Sequence, residues 1–324
     1  MLYIPFHKFK YLGGPSTFMK NLKDYLDEVG YQYSNSFWKA KGIFFPMGYR
    51  PQTLWVAKRL AMKIIQRLDG VYYPSKHGSN YIKLNRLQKN NYQKYSDYII
   101  FQSVHSRDQC FNMFGEIPNN RYSIIYNGVN TKIFYPDKKI QDIKSKIKFI
   151  TTGSFRNIDM IEPIILALDY LKKNYNFELH IVGPILNKDL GPYFDRDYIV
   201  YHNSKDLKGV AELLRSSHIF LYSHLNPPCP NSVIEAIATG LPVVGFDSGA
   251  MAELCHFSKD LLAYVTDDVF QKYEDFDYKK LAEKIEFIII DFTKYKEIAL
   301  NHTNEYSFYD CGRKYVEVFN KLLN

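Results

Sequence analysis

Short apolar runs rich in Ile, Val, Phe and Tyr alternate along this chain with longer segments whose apolar residues recur at helical spacing. That alternation predicts strand-helix units wound into parallel sheets, an α/β fold class with two doubly wound halves. In the first half the runs predict strands at Leu2–Pro5, Gly42–Phe45, Met62–Gln66, Asp97–Gln102 and Ser123–Tyr126. In the second half they predict strands at Lys148–Thr152, Glu178–Val182, Ile199–His202, His218–Tyr222, Pro242–Gly245 and Leu262–Val265. Helices fall between them, clearest by period at Ile161–Leu171 and Val233–Ala238. Another starts at Pro15, whose fixed φ suits a first helical position, and stops at Gly30. The Pro-containing charged stretch Phe134–Lys139 separates the two strand series, which divides the chain into domains at 1–136 and 137–305. A final segment, Tyr309–Leu323, is again helical in period.

Composition agrees with this picture and narrows it. A length of 324 residues suits two domains, and 46% hydrophobic with 23% charged residues excludes collagen, disorder and low complexity. No stretch approaches the roughly 18 apolar residues of a spanning helix. The start has no basic segment followed by an apolar run, so no signal peptide is expected and the expected location is cytoplasmic. Cys110, Cys229, Cys255 and Cys311 lie far apart, as buried thiols rather than a disulfide framework or zinc site. The net charge of +8 is unevenly shared. Residues 1–135 hold 19 Lys or Arg against 7 Asp or Glu, net +12, and the remainder is net −4. An anionic partner is therefore expected on the first half.

The most informative segment runs from Pro230 through Asn231, Ser232, Val233 and Glu235 to Gly240-Leu241-Pro242-Val243-Val244 and Asp247. It reads as a loop, an Asn or Ser cap, a short helix, a glycine stop and a buried strand. The first amides of such a helix favour an anion such as a diphosphate. Glu235, one turn in, is either a solvated helix residue or an acceptor for a ribose diol. In the first half, Gly13 and Gly14 follow strand one and either form a tight turn or let backbone approach a ligand closely. Arg67, Asp69 and Lys76 lie at and beyond a strand's carboxyl end, where polar groups point into ligand crevices. Asp69 is the preferred candidate there, against an Asp-Gly turn, with Arg67 and Lys76 as acceptor or phosphate contacts. Neither Gly-x-Gly-x-x-Gly nor Gly-x4-Gly-Lys occurs. Asp195 and Asp197 form an Asp-x-Asp of a metal-holding type, but no metal is expected. Arg86, Lys89 and Lys94, interleaved with Tyr81 and Tyr92, are read as a solvated helix face rather than a nucleic-acid surface.

The segment around Glu235 resembles glycosyltransferase family 4, retaining nucleotide-sugar-dependent enzymes of the GT-B fold. The resemblance extends in order to Phe101-Gln102-Ser103 with Ser106-Arg107, Tyr126-Asn127-Gly128-Val129, Leu179-His180-Ile181-Val182-Gly183 and Ser248-Gly249-Ala250 to Glu253. Two departures stand out. Pro227 occupies the place of the family's first glutamate, in a Pro-Cys-Pro-Asn variant loop, and Arg156 is followed by no lysine. The resemblance implies two Rossmann-like domains across a cleft, with the last helix, about 306–324, packing back on the first. It implies transfer of a hexose from a nucleoside diphosphate sugar to a glycan or lipid-linked hydroxyl, with retention of configuration and without a metal or other cofactor. It assigns Gly153, Arg156, Asn231, Ser232 and Val233 to the diphosphate, Glu235 to the ribose, Gly13 and Gly14 to the diphosphate and acceptor side, and Asp69 to the reacting centre. A nucleotide-sugar epimerase and a non-catalytic nucleotide or glycan-binding protein remain as alternatives. The basic residues Lys8, Lys10, Lys20, Lys83 and Lys89 suit an anionic membrane or an acidic or lipid-diphosphate-linked glycan.

Overall fold

The computed structural model describes residues 1–6, 14–137, 143–265 and 277–323. Gly13, Lys8 and Lys10 lie outside the described residues. Two six-stranded parallel sheets carry the structure. The first is built from β1 (Leu2–Tyr3), β2 (Tyr33–Ser34), β3 (Gly42–Pro46), β4 (Lys63–Leu68), β5 (Tyr98–Phe101) and β6 (Tyr122–Ile124), in the order β2-β1-β3-β4-β5-β6. The second contains β7 (Ile147–Thr152), β8 (Phe177–Val182), β9 (Ile199–His202), β10 (Ile219–Tyr222), β11 (Val243–Asp247) and β12 (Leu262–Tyr264), in the order β12-β11-β10-β7-β8-β9. Inner strands such as β3, β5 and β10 are buried along their whole length, as expected where helices cover both faces of a parallel sheet. Each strand predicted from the apolar runs is present, Ile199–His202 with the same bounds and the others with shifted ends. β2 has no counterpart among them: it spans two residues at the sheet edge, pairing Leu2 with Tyr33 and Tyr3 with Ser34, too short to leave a period.

The described residues of Met1–Gly128 and of Phe308–Asn324 form one compact unit, and those of Val129–Asp267 and Tyr273–Ser307 form the other. Phe134–Asp137 belongs to the second unit, where Arg215 donates to the Ile133 carbonyl (3.0 Å) and lies 4.3 Å over the Tyr135 ring. In the first unit the helix Gly14–Glu28 buries Phe18, Met19, Leu22, Tyr25 and Leu26 on one face. It ends where Gly30 turns to φ +68 and Tyr31 donates to the Leu26 carbonyl (2.8 Å). The helix Phe308–Leu323 packs against it through Phe308, Tyr315 and Phe319. At Gly312 the two helices come so close that a Cβ would sit 2.4 Å from the Tyr25 ring.

Candidate functional site

In the second sheet β7 is first in sequence, with β8 on one side and β10 on the other. The chain therefore changes winding direction between β7 and β10, and ligands of doubly wound sheets bind beyond the carboxyl ends of strands at such a point. The loop after β7 holds Gly153, whose amide donates to the Val182 carbonyl at 3.0 Å. Gly183, at the end of β8, has φ +126, and a Cβ on it would lie 1.9 Å from the Gly153 carbonyl oxygen. The two backbones are thus fixed against each other with no room for a side chain at Gly183. Arg156 follows on the surface, its amide 3.3 Å from the Met160 sulfur. Asp159 ties this loop to the one after β10. Its carbonyl accepts from Ser223 Oγ (2.8 Å), and its carboxylate accepts from the Leu225 amide (3.5 Å). His224 tilts over Tyr222, ring centroids 4.4 Å apart, and lies 3.8 Å from where a Gly153 Cβ would be.

The loop from His224 to Pro230 is held by backbone. Asn226 has φ +50 and donates its amide to Ser248 Oγ (2.8 Å), and Pro227 accepts from the Ala250 amide (2.9 Å). Gly249, at φ +61, leaves space for Pro227, since a Cβ would lie 2.4 Å from the proline ring. The helix Asn231–Ala238 then begins with Pro230, in extended conformation, at its cap. This corrects the expected Asn or Ser cap: Asn231 and Ser232 lie inside the first turn, and Pro230 offers no side-chain oxygen to the amides. Helix geometry leaves the amides of Asn231, Ser232 and Val233 without intrahelical acceptors. Among the described residues, no hydrogen bond or ion pair involves the Glu235 carboxyl, and burial pushes it up to about 8 from the ordinary 4.5. At the far end Gly240 (φ +70) closes the helix. Its carbonyl accepts from Nζ of Lys296, a side chain that burial holds down to about 8 despite the opposing charge of Asp137.

In the first unit, Gly14 opens the helix that follows β1, with open space where a Cβ would sit. Asp69 stands just past β4 and pairs through one carboxylate oxygen with Arg67, while its Oδ2 is buried without a hydrogen-bond partner among the described residues. Arg67 is 1% exposed. It donates from Nε to Tyr315 Oη (3.1 Å) and from Nη2 to Gln102 Oε1 (3.1 Å) and Asn127 Oδ1 (2.7 Å), and it lies 3.8 Å over the Phe18 ring. The expected phosphate or acceptor contact by Arg67 is therefore corrected: its guanidinium is spent inside the first unit, where it orients Asp69. At the Asp195-Asp197 stretch, the intervening Arg196 pairs with Asp169 at 3.1 Å.

Residues 146–289 match the family model described as Glycosyl transferases group 1. The match lies within the second unit. A probable sucrose-phosphate synthase from Thermosipho melanesiensis is 26% identical over 253 residues, 70% of this chain, and the chain spans 55% of that relative's length. Among solved structures, the sucrose-phosphate synthase of Thermosynechococcus elongatus superposes with a TM-score of 0.66 at 15% identity, covering 98% of this chain and 79% of that one. HepE from Anabaena, in complex with UDP-glucose, superposes at 0.64 and 14% identity, covering 87% of this chain and 79% of that one. The expected GT-B fold of two Rossmann-like units is the fold of this chain. The second unit holds Gly153 and Arg156 in the loop after β7 and Asn231, Ser232, Val233 and Glu235 in the helix that follows the adjoining strand β10, whereas Gly14 and Asp69 belong to the first unit. Sequence reasoning missed His224 beside Gly153, the tight Gly153–Gly183 approach and Lys296 beneath the helix. Gly183 stood in a quoted motif, but only its φ shows why glycine is needed.

Proposed function

We propose that the chain is a retaining glycosyltransferase that moves a hexose from a nucleoside diphosphate sugar to a hydroxyl of a glycan or lipid-linked acceptor. One observation carries the reading: Glu235, partly exposed and with no hydrogen-bond or ion-pair partner for its carboxyl among the described residues, stands one turn into a helix at the winding-switch point of the second sheet. A carboxylate there accepts two hydrogen bonds from a ribose diol. The amides of Asn231 to Val233 and the exposed Arg156 then meet the diphosphate, and Gly153 lets backbone approach it. These positive groups supply the charge stabilisation that a metal gives in other designs, so the reaction is written without one. In the step, the bond from the anomeric carbon to the diphosphate oxygen breaks as the acceptor oxygen attacks the same face. The acceptor proton passes to the departing phosphate oxygen. Asp69, oriented by Arg67, is assigned to the reacting sugar, and Gly13 and Gly14 to the acceptor side.

The UDP-glucose held by HepE makes uridine donors the first to test. Thermal shifts with UDP-glucose and other nucleoside diphosphate sugars should show selective stabilisation, lost in Glu235→Ala. Product formed only with an acceptor, and of unchanged anomeric configuration by NMR, supports transfer. Product from donor alone would indicate epimerisation, and binding without turnover on any acceptor would reduce the chain to a nucleotide-binding protein. The net +12 of residues 1–135 supports an anionic acceptor or anionic membrane surface on that side. Association with vesicles that ignores anionic lipid and salt would remove the membrane version.

A further inference from the structure

Away from the switch point, the second unit brings His256, His302 and Glu305 together. One donor atom from each lies within 4.8 Å of the others. His256 Nε2 is 2.8 Å from one Glu305 oxygen, and His302 Nδ1 is 2.5 Å from the other. We propose that these three residues form a divalent transition-metal site of the zinc type, in which the ion takes the place of the two imidazole–carboxylate contacts. This proposal is independent of the donor-binding reading above.

The donor set and its support both point this way. Two imidazole nitrogens and a carboxylate oxygen form a zinc ligand set, with a fourth position left for water. His302 and Glu305 are three residues apart in the turn that ends the helix Phe292–Asn301, and Glu305 donates its amide to the His302 carbonyl (3.3 Å). The His302 ring is fixed by stacking on Phe257, centroids 4.2 Å apart and planes within 8°. Tyr306 Oη donates to the Leu254 carbonyl (3.0 Å), which holds the turn against the segment that carries His256. Side-chain exposures of 49%, 29% and 31% for His256, His302 and Glu305 leave a path for an ion. Ligand atoms on tetrahedral zinc stand about 3.4 Å apart, so the triangle needs only small side-chain rotations to close.

The other two-histidine group of this unit lacks that convergence. His180 uses Nδ1 toward His202 (2.9 Å) and Nε2 toward Glu178 (2.9 Å), on opposite sides of one ring. Glu178, His180 and His202 therefore form a line rather than a chelate. A metal at His256, His302 and Glu305 would clamp residues 302–305 to the helical turn Met251–Leu254, which follows the Ser248–Ala250 turn packed on Pro227. Because ion and protons compete for the same nitrogens, affinity must rise with pH.

Zinc chloride titrated calorimetrically into the metal-stripped full chain should bind at one equivalent with micromolar or tighter affinity. Cobalt should give the intense visible bands of a four-coordinate site. His256→Gln and Glu305→Gln should each weaken zinc by at least about tenfold, whereas His180→Gln should leave it unchanged. Zinc should also raise the melting temperature of the wild type but not of Glu305→Gln, with metal-free melts of the two proteins compared so that a folding defect is separated from lost binding. Absence of saturable zinc binding at submillimolar concentration overturns the site. Binding that survives His256→Gln and Glu305→Gln, or that is lost in His180→Gln, overturns it equally.

Discussion

Glu235 combines a partly exposed carboxyl with no hydrogen-bond or ion-pair partner among the described residues, and its pH behaviour follows. With its pKa raised to about 8 in the folded protein, its contribution to stability is complete below the ordinary 4.5 and is lost as pH rises towards 8. Glu235→Gln should flatten that decline in thermal melts across pH 5 to 8. A ribose diol donates only to the ionised form usefully, so donor binding should expel a proton. Donor affinity should therefore grow with pH below 8, by at most about tenfold per unit, and Glu235→Gln should remove the slope. Calorimetry in buffers of different ionisation enthalpy reads the proton directly, and an affinity independent of pH in the wild type would sink the diol role. Gly183 makes a steric prediction. With φ +126 and the Gly153 oxygen 1.9 Å from a Cβ, Gly183→Ala should cost at least about 4 kcal/mol or fail to fold. The pattern around Glu235 was legible because helix start, glycine stop and buried strand are contiguous. The surroundings of Arg67 were not: Gln102, Asn127 and Tyr315 lie 35, 60 and 248 residues away, and only the fold brings them to one guanidinium.

Among elements, the helix Asn231–Ala238 shows how a short segment is held in place. Its carboxyl end is closed by Gly240, by Thr239 Oγ1 donating to the carbonyls of Glu235 (3.1 Å) and Ala236 (2.9 Å), and by the 5% exposed Lys296. Lys296→Ala should leave the Gly240 carbonyl buried and unpaired, costing about 1 to 3 kcal/mol in denaturant unfolding. It should also weaken donor binding, because the opposite end of the same helix carries the diphosphate amides; unchanged donor affinity would argue that the helix needs no such anchor. The strand pattern was readable where burial on both faces made continuous apolar runs, as in Tyr98–Phe101, and unreadable at Tyr33–Ser34. The cap was misplaced by one or two residues because Asn and Ser are preferred there, while Pro230 takes the position through its extended backbone.

At the scale of the molecule, the first unit is completed by the helix Phe308–Leu323, which fills its core with Tyr315 and Phe319 and anchors Arg67. Tyr315→Phe should cost about 1.5 to 3 kcal/mol, the range for a hydrogen bond to a charged group. Arg67→Ala should cost about 3 to 5 kcal/mol, because it strands Asp69 as a buried charge. Equal losses in the two variants would show that the Asp69 pair contributes nothing of its own. Among the described residues no helix is long and apolar enough to cross a membrane.

The return of the last helix also sets an order of events on the ribosome. Residues 129–307 must be made before Phe308 emerges, so the nascent first unit waits with Phe18, Leu22 and Phe44 uncovered while the second can close on its own. Chains stalled just before Phe308 should thus yield a protease-resistant second unit and a protease-sensitive first. That vulnerable interval lasts as long as translation of the intervening segment, which makes the first unit the natural client of a chaperone during synthesis.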